Sequence, residues 1–350
     1  MSRVVDQLAA LWPALAFLLA GVPLAALLDR LGFFRSAADV LASRPGPVPV
    51  GALWVLGAAT TAVLNLDTTV VLLTPLYLEL ARRGGVDPVP LALIPLLLAS
   101  LSSSVLPVSN LTTLLAAEHY GLGVAEMVGH LALPGLAATV VGWLAYRRRH
   151  PPVVAAEPSG PPDRRALAVG GAVVAGLLVG FVVGPDRGVA PWVTALVADG
   201  VLMAVTRYVP WRHVPLTTAA GVAAVASILA LAPALPVGRL PGAGTVAGVG
   251  ALVVAGAAAA NTVNNLPGLL AVLDAEPRIS WPVWSWLLGV TTGAALLPIG
   301  ALANLLWLRI LRAEGLAPTW RRYIALTLPV AGPALLAAAL TLAGERAVFG

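Results

Sequence analysis

Apolar runs of about 20 residues recur along the whole chain, and each is long enough to cross a hydrocarbon core about 30 Å thick as an α-helix. Only 11% of the 350 residues are charged and 59% are hydrophobic, with a mean hydropathy of +0.91, whereas soluble domains carry about 25% charged residues. No long polar stretch separates the runs. The sequence therefore predicts an all-α, polytopic membrane helical bundle; its clearest spans are Leu8–Leu28, Val124–Tyr146, Ala166–Val183, Pro191–Val205, Thr217–Ala234 and Tyr323–Leu342.

Charge and cysteine content exclude several classes of function. All 21 basic residues are arginines in predicted loops, where they orient membrane helices, so the net charge of +5 does not indicate a nucleic-acid partner. The absence of cysteine excludes disulfides and thiolate metal ligands, and the four histidines show no ligand spacing. We predict no metal site and no cofactor.

A polar, proline-rich and basic stretch near the middle of the chain predicts two halves. Residues 1–150 are predicted to form a first repeat, shortened at its N-terminus, and residues 151–165 a cytoplasmic linker. Residues 166–350 are predicted to form a second repeat.

Each half contains two apolar stretches that polar residues interrupt. Asn65-Leu66 in the first half aligns with Asn265-Leu266 in the second, and Leu106-Pro107 aligns with Leu297-Pro298. Two matched pairs in the same order predict an internal duplication. The interrupted segments are Ala59–Thr69, Leu106–Thr113, Asn261–Pro267 and Leu297–Asn304.

We interpret the first break of each half as the tip of a re-entrant hairpin, because the arms Val50–Leu64 and Val70–Ala81 are each short of a full crossing. Two full spans joined by a turn are the alternative. Each second break is interpreted as an unwound point inside one spanning helix.

The arginines test this interpretation. If the hairpins do not cross, the chain crosses eight times and 16 arginines fall on one side against 5 on the other. The rich side is then cytoplasmic and both termini are extracytoplasmic. Three crossings precede the linker, and an odd number places the two repeats in opposite orientation. The rich side holds Arg30, Arg35, Arg44, Arg82, Arg83, Arg147, Arg148, Arg149, Arg164, Arg165, Arg207, Arg212, Arg309, Arg312, Arg321 and Arg322.

Polar breaks at this depth indicate a site, because non-helical backbone persists in a membrane only inside protein or along a wet cavity. Asp67 and Thr68 can cap the second hairpin arm, and Ser109 and Asn110 can cap a half-helix near Leu111. Asn264 and Asn265 precede a proline suited to the first helical position, and Pro298 with Gly300 permits unwinding. Helix N-termini that converge on one chamber would bind an anion or oxyacid. Capping alone is the alternative for each of these residues.

Asp67 is the strongest single candidate for a functional residue. A carboxylate near the midplane costs at least about 2.5 kcal/mol unless it is solvated or paired, and uptake of a proton removes that cost. We therefore favour proton or cation coupling at Asp67 over simple capping. Asp199 also lies within a predicted span, without an obvious partner.

These segments resemble the bacterial arsenite/antimonite efflux permeases, within the ion-transporter superfamily that also holds sodium-coupled dicarboxylate carriers and sodium/proton antiporters. The match runs from about Trp12 to the C-terminus. It rests on Leu27–Phe34, Asn65-Leu66-Asp67, Leu72–Pro75, Pro107–Thr112, Asn264–Gly268 and Pro298–Leu308.

The resemblance implies that both hairpin tips and both unwound loops line the substrate site. It also implies export of trivalent arsenite or antimonite in exchange for protons, which a cytosolic ATPase subunit assists in some members. Such a subunit and a homodimer are therefore candidate partners beside the lipid bilayer. The site residues implied are Asn65, Asp67, Ser109, Asn110, Thr112, Asn264, Asn265, Gly300 and Asn304, and we add Thr68 from the first tip.

The chain departs from the family pattern at three points. One full span precedes the first hairpin where the family has three, Ser102-Ser103-Ser104 replaces a more usual Asn/Asp/Thr segment, and Leu66 separates Asn65 from Asp67.

The leading hypothesis is a multi-pass transporter of the cytoplasmic membrane that exports arsenite, antimonite or a related oxyanion by proton antiport. The alternative is a sodium-coupled or proton-coupled carrier of a carboxylate or other inorganic anion. We do not expect an enzyme, because the spans show no Ser/His pair, no paired aspartates and no His-Glu zinc motif. A degenerate, non-transporting paralogue is a further alternative.

Overall fold

The computed structural model describes residues 2–43, 45–63, 66–106, 109–155, 157–158, 160–184, 187–231 and 234–349. Regular structure in these ranges is almost entirely helical, which confirms the predicted all-α class. A two-stranded antiparallel sheet pairs β1 (Val48–Pro49) with β2 (Val153–Val154). The backbone N–H of Asp163 donates to Ser36 Oγ (3.3 Å), so the linker lies against the first half.

Helices α1 to α7 precede the linker and helices α8 to α15 follow it. The first set comprises α1 (Ser2–Leu31), α2 (Phe33–Ala42), α3 (Val50–Val63), α4 (Leu66–Arg83), α5 (Pro88–Leu101), α6 (Leu111–Tyr120) and α7 (Val124–Arg147). The second comprises α8 (Arg164–Val183), α9 (Pro191–Thr206), α10 (Leu216–Ala230), α11 (Val246–Val263), α12 (Asn265–Leu273), α13 (Trp281–Thr292), α14 (Leu302–Ala313) and α15 (Trp320–Phe349). Short 3-10 helices lie at Trp211–His213, Val237–Arg239 and Gly293–Leu296.

Four helical segments in the described ranges are long and apolar enough to cross a membrane by length and composition: Leu11–Leu31 of α1, α7, α11 and α15. Shorter apolar helices lie between them. This pattern agrees with the multi-pass architecture predicted from the apolar runs.

The hairpin arms are unequal in length. Helices α3 and α4 have 14 and 18 residues, and α11 and α12 have 18 and 9. At 1.5 Å per residue, α12 covers about 14 Å, roughly half of the hydrocarbon core. The second hairpin enters and leaves at one end, where Leu235 N donates to the Ala271 carbonyl (2.7 Å). Helix α11 alone is long enough to cross, but α12 is too short to return across the bilayer, which favours a re-entrant second hairpin over two full spans.

Both predicted interruptions of the helices are seen in the described residues, although Pro107 of the first lies outside them. The second runs between the end of α13 at Thr292 and the start of α14 at Leu302. The first begins earlier than predicted, because α5 already ends at Leu101 instead of near Leu106. The half-helices on either side have 10 to 14 residues and cannot cross a bilayer alone.

Contacts between the two halves are reciprocal. The return arm α4 of the first hairpin packs against α14, the half-helix after the second unwound segment. The return arm α12 packs against α6, the half-helix after the first. Helix α7 packs along α15, and α1 along α10. Such an exchange is what a duplicated chain would produce, and the inverted orientation of the two repeats stays a prediction.

Loop contacts divide as the arginine distribution predicts. Arg82 Nη2 lies 2.5 Å from Glu314 Oε2, which joins the C-terminal ends of α4 and α14 on the arginine-rich side. At the other end of the helices, Arg346 Nε donates to the Gly244 carbonyl (2.9 Å). Which end faces the cytoplasm stays a prediction.

Candidate functional site

The tip of the second hairpin is held by Asn264 and Asn265. The φ of Asn264 is 81°, in a region that non-glycine residues rarely adopt and that asparagine tolerates better than most. Asn264 Oδ1 accepts a hydrogen bond from Leu266 N (3.4 Å) and caps α12, while its Nδ2 donates to the Ile299 carbonyl (2.9 Å). Asn265 N donates to the Gly300 carbonyl (2.9 Å). The structure thus brings three predicted site residues together.

Asn261, one turn before this tip, organises the same segment and was not among the predicted site residues. Its Nδ2 donates to the carbonyls of Ala257 and Gly293 (both 2.7 Å), and its Oδ1 accepts from Leu297 N (2.7 Å). These bonds satisfy backbone groups that the unwinding removes from a helix. The local sequence shows the asparagine but not its partners, which lie 32 and 36 residues away.

Gly300 allows the chain to pass close to itself. A Cβ at this position would lie 2.0 Å from the Ala294 carbonyl oxygen and 2.8 Å from Asn261 Oδ1. Asn304 is fully buried in the first turn of α14, and its Nδ2 donates to the carbonyls of Ala294 (2.8 Å) and Leu297 (2.9 Å). Its Oδ1 is buried with no hydrogen-bond partner in the part of the chain that the structure describes.

The first unwound segment has its own network. Asn110 caps α6, since its Oδ1 accepts from Thr112 N (3.0 Å), and its Nδ2 donates to Ser103 Oγ (3.1 Å). Ser109 Oγ donates to the Ser103 carbonyl (2.6 Å) and contacts the Leu106 carbonyl. Thr112 is buried, and its hydroxyl finds no partner within the described ranges. Ser103 joins these residues, although the serine triplet was not predicted to contribute to the site.

The first hairpin tip carries Asp67. Helix α4 begins at Leu66, so Asp67 lies inside its first turn and Thr68 follows it, buried. Asp67 Oδ1 is buried and unpartnered among the residues that the structure covers. Thr61 Oγ1 donates to Thr69 Oγ1 (3.0 Å), which joins the two arms just below the tip. The predicted site residue Asn65 lies outside the described residues.

Three capping predictions are wrong. Asp67 and Thr68 do not cap α4, because both residues already lie inside the helix. Ser109 bonds within the unwound loop and leaves the cap of α6 to Asn110. Pro267 is the third residue of α12, because Asn265 begins that helix.

The remaining predicted residues fall into two groups linked by helix packing. Asn264, Asn265, Gly300 and Asn304 surround the second unwound segment, and Ser109, Asn110 and Thr112 surround the first. The packing of α4 on α14 and of α6 on α12 connects the groups. N-termini of short helices meet polar loops here, and such ends carry partial positive charge and free N–H donors. The arrangement can bind a small polar or anionic solute.

Two further features bear on chemistry. Asp199 is 3% exposed in α9, and its Oδ1 has no partner in the described chain. Its role was left open by the sequence, and α9 packs against α1, away from both unwound segments. A search of the described residues finds no group of three His, Cys, Asp or Glu side chains that could hold a metal ion.

A polytopic helical bundle with two hairpins and two unwound helices around buried polar groups defines a membrane carrier. The chain belongs to the family described as "Citrate transporter", whose sequence model matches residues 4–289.

Relatives of this chain include proteins named "Arsenical pump membrane protein" from Escherichia coli and Yersinia enterocolitica. Each is 28% identical to it over 95% of this chain and 87% of the relative. The fold is similar to the crystal structure of the Alcanivorax borkumensis YdaH transporter, with a TM-score of 0.53, 17% identity and coverage of 99% of this chain and 87% of that one. The family and the relatives are named as transport proteins, which supports the conclusion that this chain is a multi-pass membrane protein that transports an anion.

Proposed function

We propose that the protein is a secondary active transporter that exports arsenite, antimonite or a related small oxyanion in exchange for protons, with alternating access at a midplane site. The observation that carries this proposal is the set of buried oxygens left without partners at three of the four breaks. They belong to Asp67, Thr112 and Asn304, and none has a hydrogen-bond partner among the described residues. A buried polar atom without a partner costs about 1–3 kcal/mol, so a polar ligand or water is the expected occupant.

The coupling step follows from the position of Asp67. An empty carrier that reorients with a bare carboxylate near the midplane bears a cost of at least about 2.5 kcal/mol. A bound proton removes that cost, and so does an undissociated oxyacid whose hydroxyl donates to the carboxylate. The carrier therefore reorients with either a proton or the solute at Asp67, which is an exchange of one for the other.

The relatives' names supply the solute class. Proteins similar to this chain along most of its length are named for arsenical pumping. An undissociated arsenite offers hydroxyl donors and acceptors that amide and hydroxyl side chains can bind, and it needs no thiolate.

Everted membrane vesicles test the proposal directly. Vesicles that contain the protein should accumulate arsenite when a proton gradient is imposed that makes the vesicle interior acidic. Asp67→Asn should reduce uptake to that of vesicles without the protein. Asp163→Asn is the matched control, because Asp163 is an exposed helix cap outside the membrane and asparagine caps a helix equally well. Full uptake by folded Asp67→Asn would remove this carboxylate from the mechanism.

A second candidate function is sodium-coupled or proton-coupled transport of a carboxylate or other inorganic anion. The match to the citrate transporter family model favours it. Side-by-side uptake of arsenite, citrate and succinate, with and without a sodium gradient, separates the two candidates. Sodium-dependent uptake of a carboxylate without arsenite transport would replace the first proposal with the second.

The proposed location of the protein in the cell follows from its loop charges. We propose the cytoplasmic membrane, with both termini extracytoplasmic and residues 151–165 on the cytoplasmic side, on the support of the arginine distribution. A cytosolic ATPase subunit and a homodimer remain predictions from the family resemblance.

A further inference from the structure

A cavity of about 580 Å³ opens at the arginine-rich end of the molecule, apart from the hydrogen-bond networks of the unwound segments. Its walls come from α1, α4, α14 and the connection between α9 and α10. The volume lies within the range of about 300–1,000 Å³ that small-ligand pockets occupy.

The outer part of this cavity is basic. Arg30 lies above the ring of Tyr208, with 4.3 Å from its Cζ to the ring centroid. Two carboxylates, Asp29 and Glu314, face four arginines, and Glu314 is already paired with Arg82 at 2.5 Å. The cavity therefore has a surplus of positive charge suited to a phosphate group. The four arginines are Arg30, Arg212, Arg309 and Arg312.

The inner part is apolar. Val22, Ala25 and Ala26 of α1 line it together with Pro75 of α4. Val22 lies eight residues before Arg30, so the cavity extends about 12 Å along the helix axis from its charged mouth. A slot that is cationic at the membrane surface and apolar toward the membrane interior matches the two parts of a phospholipid.

We propose that this cavity binds an anionic phospholipid, with the phosphate at the arginines and the first part of an acyl chain against α1. Arg309 and Arg312 lie three residues apart on α14 and present neighbouring guanidinium groups. Basic pockets between membrane helices bind anionic headgroups by this chemistry. A soluble phosphate would use the arginines but leave the apolar half empty, which favours the lipid.

Native mass spectrometry of the full-length protein in detergent tests the proposal. Phosphatidylglycerol is titrated against phosphatidylcholine, and adducts are counted for wild type and for Arg309→Gln/Arg312→Gln. Each arginine near an anionic lipid contributes about fivefold to affinity, so the double variant should bind phosphatidylglycerol about 30-fold more weakly. Arg147→Gln/Arg148→Gln removes two exposed arginines of the same side outside this cavity and should leave binding unchanged.

Equal loss in the two double variants would show general surface attraction and overturn the proposal. Displacement of bound phosphatidylglycerol by inorganic phosphate or glycerol phosphate would identify a soluble-anion site and overturn it as well. Arg309→Lys/Arg312→Lys guards against misfolding, since it keeps both charges and should bind more tightly than the glutamine variant. The assay needs no transport, so the outcome is independent of the proposed function.

Discussion

Asn261→Ala probes the segment that holds the second hairpin to the second unwound loop. The substitution leaves the Gly293 carbonyl and the Leu297 N–H without the partners that they have now. Gly293 packs against α11 so closely that an added Cβ would lie 2.2 Å from Ala257 Cβ. Asn261 is itself buried, with 7% of its surface exposed, so bulk water does not reach the two backbone groups that lose the amide.

The magnitude follows from this burial. Each buried backbone group that loses its partner costs about 1–3 kcal/mol, so two groups cost about 2–6 kcal/mol. If water entered, the loss would approach the average of about 0.6 kcal/mol that side-chain hydrogen bonds contribute in membrane proteins. We therefore expect Asn261→Ala to lower the free energy of unfolding by at least about 2 kcal/mol.

Equilibrium unfolding in mixed micelles, followed by tryptophan fluorescence, measures the difference. Thr262→Ala is the matched control, because the neighbouring Thr262 is exposed and its hydroxyl bonds only to the Ala258 carbonyl of its own helix. A loss for Asn261→Ala that is no larger than for Thr262→Ala would refute the reasoning. It would mean that the unwound segment is wet or held by other contacts.

Two further substitutions test the site. Gly300→Ala should lower the free energy of unfolding by about 1–3 kcal/mol, because the added Cβ meets a backbone carbonyl. Gly250→Ala in α11 adds a Cβ that meets nothing within 4 Å, so in the same assay it should raise the free energy of unfolding by about 0.5–1 kcal/mol. The chain has no cysteine, so Thr112→Cys should react with a small charged thiol reagent, and the transported solute should protect it. Thr291→Cys replaces a buried hydroxyl bonded within α13 and should stay unmodified, as measured by mass spectrometry. Equal labelling of the two cysteines would contradict a solvent-accessible chamber at Thr112.

The sequence located the polar breaks well because apolar runs are long and their interruptions are abrupt. Asn264-Asn265 and the region around Gly300 lie at the second tip and loop as predicted. The cap of α6 at Asn110 is also predicted correctly.

The sequence failed where the structure depends on contacts far along the chain. Asn261 and Ser103 were not among the predicted site residues, yet Asn261 bonds to backbone groups of the second unwound segment and Ser103 joins Ser109 and Asn110 in the first. Capping at Asp67 was wrong because that residue already lies inside α4, and helix starts are poorly fixed by local preference alone. Contacts between halves, such as Trp307 Nε1 donating to the Ala92 carbonyl at 2.7 Å, have no local signal at all.

The packing of each half against the other couples binding at one helix to binding at its neighbour. Asp67 is carried by α4 and Asn304 by α14, and these two helices touch. A solute that displaces either helix must change the fit of the other, and thermodynamic linkage makes that influence equal in both directions. In the proposed exchange, binding at Asp67 and contacts of the solute at Asn304 would therefore influence each other across a single helix–helix contact, with no relay through the remainder of the bundle.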